Sequence, residues 1–145
     1  MTNDVNGVLL TDGRNRIFLH PPKLYPGGHG FTHQVDLVFG PFQGSFETSS
    51  YEGPMALQTF YEQLNALYGS LRGEARLPDS YENLKVYLSG DGLGHFKVRA
   101  DIWVVPTGDD MDIQFSFSFS IDQTQLPDIA AAVQRVFLNE SLRGQ

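Results

Sequence analysis

At 145 residues, 41% hydrophobic and 19% charged, the chain has the length and composition of one folded domain, residues 1–145, burying roughly two-thirds of its unfolded surface, which excludes a disordered segment. No stretch reaches the roughly 20 apolar residues that span a bilayer, and MTNDVNGV has neither the basic start nor the apolar run of a signal peptide, so a cytoplasmic protein with no membrane partner is expected. With 17 acidic against 10 basic residues, a formal charge of −7 and no cysteine, the sequence disfavours nucleic acid, excludes disulfides and thiolate chemistry, and suits a basic protein partner.

VLLTDGRNRIFL, residues 8–19, has two short apolar runs around Asp12-Gly13, a pair that accepts the positive φ of a tight turn, and reads as a hairpin. The prolines and glycines of HPPKLYPGGHG mark a loop. FTHQVDLVF and FQGSFETS, turned by Gly40-Pro41, form a second hairpin in which Phe42, Gly44 and Phe46 share a face. Gly53-Pro54 opens a helix, since Leu57, Phe60, Tyr61, Leu64, Leu67, Tyr68 and Leu71 follow at steps of three and four. That stripe should face a core, and Gly73 should end the helix.

LKVYLS, residues 84–89, begins a second group of strands. Phe96, Val98, Ala100, Ile102 and Val104 alternate with Lys97, Arg99, Asp101 and Trp103, the period of a strand covered on one face. IQFSFSFSI, residues 113–121, is the purest alternation, with Gln114, Ser116, Ser118 and Ser120 opposite the Ile and Phe side chains, and is expected to be a central strand. In the last helix Leu126, Ile129, Val133, Val136 and Phe137 recur at helical spacing, Thr124 is a candidate cap, and Asp128 suits the first turn. The order predicts an α+β fold: an antiparallel sheet of about six to seven strands packed by two amphipathic helices.

SGDGLGH, residues 89–95, holds G-x-G-x-G between two strands, whereas a dinucleotide site needs G-x-G-x-x-G between a strand and a helix. Gly90, Gly92 and Gly94 are therefore expected to build a turn at positive φ. His20, His29 and His33 admit a metal site if the Pro/Gly loop folds them together; an extended backbone from 29 to 33 would hold those two imidazoles roughly 13 Å apart, and turn or surface roles are the alternative. Asp109, Asp110 and Asp112 match no calcium-loop spacing and read as a solvated hairpin tip. No G-x-S-x-G elbow accompanies the Ser, His and Asp residues, so no catalysis is expected. The serine face meets either water or a second chain, and Trp103, like Tyr51, Tyr81 and Tyr87, either packs at a sheet edge or anchors a partner.

The segments FYEQLNALYGSLRGEA, SGDGLGHFKV and SIDQTQLPDI, in that order, resemble the small bacterial proteins grouped as WapI-type immunity proteins, together with related uncharacterised families. The similarity covers residues 57–137 best, and its most specific element is Asp122-Gln123-Thr124 before Leu126-Pro127, where a strand ends and the last helix starts. The resemblance implies a protein without catalysis or cofactor that binds and blocks a toxin of a competing strain inside the producing cell. Candidate partner-binding residues are Asp91, His95, Trp103, Asp109 and Asp110, while Gly90, Gly92, Gly94, Asp122, Gln123, Thr124 and Pro127 are expected to serve the structure. The chain would be a monomer, or a homodimer through the serine face or an unpaired edge strand. The rival reading is a small-ligand or metal-binding domain.

Overall fold

The protein is described by a computed structural model over residues 6–27, 29–104 and 112–139. Alternating side chains build a first antiparallel sheet from β1 (Val8–Thr11), β2 (Arg16–Leu19), β3 (Lys23–Leu24), β4 (Phe31–Phe39) and β5 (Phe42–Ser50). β4 is its centre: β2 and β3 share one edge of it, and β5 covers the other from Phe31↔Ser50 to Phe39↔Phe42. The alternation turns Phe31, His33, Val35 and Leu37 inward, where all are buried.

After a short 3₁₀ turn, Pro54–Leu57, helix α1 (Gln58–Ser70) leads into a second antiparallel sheet. Its order is β6 (Arg72–Arg76), β7 (Leu84–Asp91), β8 (His95–Val104) and β9 (Ile113–Asp122), and α2 (Leu126–Phe137) closes the chain. Phe96, Val98, Ala100 and Ile102 join Phe60, Leu64, Leu67, Val133 and Phe137 in one apolar core. The helices pack on each other, α1 on β6 and α2 on β1, so both lie on the core side of the sheets. Residues 80–83 tie the sheets together: the Tyr51 amide donates to the Ser80 carbonyl at 3.3 Å, the Glu82 amide to Ser49 at 3.1 Å, and the Trp103 amide to Asn83 at 3.2 Å.

The fold is α+β as expected, with two sheets and nine strands among the described residues in place of one sheet of six or seven. β3 lies within the expected loop, and β6, whose RGEAR sequence buries only Ala75, has no apolar alternation to announce it. Among the described residues β9 pairs only with β8, which makes it an edge strand rather than a central one. The first helix ends at Leu71 and not at Gly73: Leu71 takes the left-handed conformation, φ 64°, and its amide donates to the Leu67 carbonyl at 2.8 Å. Tyr68, assigned to the core stripe, is instead 49% exposed.

Candidate binding surface

The pleat that fills the core with Phe96, Val98, Ala100 and Ile102 sends the intervening side chains of β8 to the opposite face, away from both helices. That face carries Lys85 and Tyr87 from β7, Lys97, Arg99, Asp101 and Trp103 from β8, and the three serines of β9. At one end Trp103 is 48% exposed beside a depression of about 280 Å³ bordered by Leu84, Lys85, Asp101, Ile102 and Phe115. Asp101 accepts from the Ser116 hydroxyl at 2.7 Å and from Arg99 Nε at 3.0 Å. Partial burial works to raise its pKa, but these two hydrogen bonds and the positive charges of Arg99 and Lys85 hold it below the usual carboxylate value. An exposed indole, an apolar hollow and an oriented Arg–Asp pair can seat a protein side chain.

The opposite end of β8 holds the glycine-rich stretch, which is a turn. Gly92 and Gly94 take φ 87° and 99° as expected, but Gly90 does not have positive φ; its role is close packing, since an added Cβ would run into the Leu71 carbonyl and lie 2.8 Å from the Phe96 ring. Asp91 organises the turn, its Oδ1 accepting from the Leu93 amide at 2.7 Å and the His95 amide at 3.2 Å, with its Oδ2 3.3 Å from His95 Nδ1. At the neighbouring corner Asp122, not Thr124, is the cap. Its carboxylate accepts from the Thr124 amide at 2.9 Å and from the Thr124 hydroxyl, and Gln125 Oε1 accepts from the Asp122 amide at 3.2 Å, which completes a capping box on the 3₁₀ turn ahead of α2. Gln123 donates its amide to the Gly94 carbonyl at 2.9 Å, Gln125 reaches the Thr11 carbonyl at 2.8 Å, and Pro127 sits in the first turn of α2 beside Asp128. These residues fix the meeting of β1, β8, β9 and α2.

The expected partner residues are thus only partly brought together. His95 and Trp103 share a face but lie eight residues apart along β8, about 27 Å. Asp109 and Asp110 lie outside the described residues. The three histidines occupy different environments: His29 is exposed, His20 is on the outer side of the first sheet, and His33 faces the core. Among the described residues no group of three or more His, Cys, Asp or Glu is placed to hold a metal ion.

His20 Nε2 lies 2.6 Å from Asp36 Oδ2, while Asp36 Oδ1 accepts from Gln34 at 2.8 Å and from the Ser45 hydroxyl at 2.7 Å. A serine, an aspartate and a histidine therefore meet, but the hydroxyl bonds the carboxylate instead of the imidazole, which is not the order of a Ser-His-Asp triad. The inward turn of His33 was readable from its place between Phe31 and Val35 on one strand face. The contribution of Asn83 to the hollow beside Trp103 was not, because it arrives from a connecting segment without a periodic pattern.

Among the described residues no helix is long and apolar enough to cross a membrane. Comparison with curated proteins finds no match. The model of the immunity protein WapI-like family matches residues 32–139, from β4 through the end of α2, which includes the glycine turn, the capped corner and the Trp103 face; the chain belongs to this family.

Proposed function

We propose that the protein neutralises a cognate bacterial toxin by binding it, without catalysis, in the cytoplasm of the cell that makes both, and that the outer face of the second sheet around Trp103 is the contact surface. Family membership supports the immunity role. The observation that carries the choice of surface is Trp103 itself, half exposed beside an apolar hollow and next to the Arg99–Asp101 pair. Trp and Arg in such settings supply a disproportionate share of binding energy in protein interfaces.

The test is co-expression with the toxin encoded beside it, followed by titration calorimetry of the purified pair. Trp103→Ala is expected to weaken binding by about 30-fold to 1,000-fold, the equivalent of about 2–4 kcal/mol, with an unchanged Tm. Full affinity in that variant would move the contact to another surface.

A further inference from the structure

Among the described residues β9 is an unpaired edge of the second sheet. It pairs with β8 without interruption from Val104↔Ile113 to His95↔Asp122, and among the described residues no backbone hydrogen bond reaches residues 113–121 from the other side. Ser116 and Ser118 at the middle of this strand are exposed, and with Lys97, Arg99 and Phe117 they border a depression of about 210 Å³ on the outer face. A strand edge presents unpaired N–H and C=O groups, and soluble proteins usually blunt it with a lysine, a proline, a bulge or a cover. IQFSFSFSI has no charged residue, no proline and no bulge.

The same nine residues are close to a palindrome about Phe117. Ile113 mirrors Ile121, Phe115 mirrors Phe119, Ser116 mirrors Ser118, and Gln114 with Ser120 is the single exchange, between two uncharged polar residues. A two-fold interface requires a surface that complements its own copy. An antiparallel strand that reads alike in both directions meets that requirement at each pair, setting aromatic against aromatic and serine against serine. Flanking side chains add a second reason. Phe39 stacks on Phe117 at 4.6 Å and on Phe115 at 5.1 Å, and also on Phe42 at 5.5 Å, which is 62% exposed. A two-fold axis at Phe117 brings two such stacks to the same seam.

We propose that the protein forms a two-fold dimer in which β9 pairs antiparallel with β9 of a second copy about Phe117, joining two four-stranded sheets into one of eight strands. The net charge of −7 does not oppose this contact strongly. The edge itself is uncharged, the nearest charged groups on β8 are of both signs, and more distant charges are screened over about 8 Å at physiological salt.

Sedimentation equilibrium of the isolated protein, with no toxin present, should give twice the 16.2 kDa chain mass at high concentration. In S116K/S118K each introduced lysine faces another across the axis. The dimer dissociation constant should then rise at least about tenfold with circular dichroism unchanged. In S116K/S118D opposite charges face each other across the axis, and within the chain the new lysine lies opposite Asp101 and the new aspartate opposite Arg99 in the β8–β9 register, so the dimer should persist. Wild-type protein that stays at 16.2 kDa overturns the proposal, and so does a dimer that the two double variants affect equally.

Discussion

His33 sits 1% exposed among the rings of Phe31, Tyr81 and Phe137, with its Nε2 2.8 Å from the Tyr81 hydroxyl and, among the described residues, no partner for Nδ1. Burial disfavours the imidazolium and lowers its pKa from 6.5 to about 4. Between those values the unfolded chain binds a proton that the folded chain does not. Stability from this residue is therefore complete above pH 6.5 and declines as the pH falls toward 4, by about 3 kcal/mol over the full window. Asp101, whose carboxyl is lowered from 3.8, acts in the same sense at more acid pH, its contribution being lost as the pH falls through its folded value. Thermal melts at a series of pH values should show a steeper loss for the wild type than for His33→Gln between pH 6.5 and 4. Parallel curves would mean that His33 takes up its proton without unfolding. The burial of this histidine is the price of a polar residue on the inward face of a central strand.

Elements meet closely where α1 turns into β6. The Leu71 carbonyl lies against Gly90 of β7, and the Phe96 ring closes the other side, 2.8 Å from where a Cβ would stand. Because the obstacle includes backbone, it cannot rotate away, and Gly90→Ala should cost about 1–3 kcal/mol as an overpacked site. Urea unfolding would check this; a midpoint equal to the wild type would show that the α1–β6 corner can shift. Much at this scale was legible in the sequence. The core-facing alternation of β8 and the helical spacing of α2 each follow from one buried face, and Ile129, Val133, Val136 and Phe137 are buried as that spacing requires. What alternation does not report is the number of strand neighbours, so β9 reads the same at an edge as in the middle. β6 was illegible for the converse reason: its place comes from pairing with β7, Arg72↔Asp91 to Arg76↔Tyr87, and not from side chains that seek the core. No sequence signal marks the helix end at Leu71, because tertiary packing holds a partly buried leucine in a conformation that glycine takes more readily.

At the scale of the whole molecule, the Trp103 groove joins Leu84, Ile102 and Phe115 from three strands, an assembly that no local pattern encodes and that only strand register reveals. The same dependence on distant segments bears on where the folding unit begins. The family match starts at residue 32, so the β1–β2 hairpin lies outside it. Yet Val8, Leu10, Ile17 and Leu19 are each at most 1% exposed, β2 covers an edge of β4, and β1 packs on α2. Burying four such side chains contributes on the order of 6–12 kcal/mol, at about 1.5–3 kcal/mol each, which equals most of the roughly 5–15 kcal/mol by which a domain is stable. Deleting residues 1–19 would remove that contribution, expose Val35 and Leu37 along an unpaired edge, and strip β1 from α2. The truncated chain should lose its cooperative thermal transition and aggregate, as followed by circular dichroism and light scattering. A soluble product that melts at the wild-type temperature would instead make the hairpin an appendage and the matched segment a complete folding unit, with the core closed by α1, α2 and the strands from β4 onward.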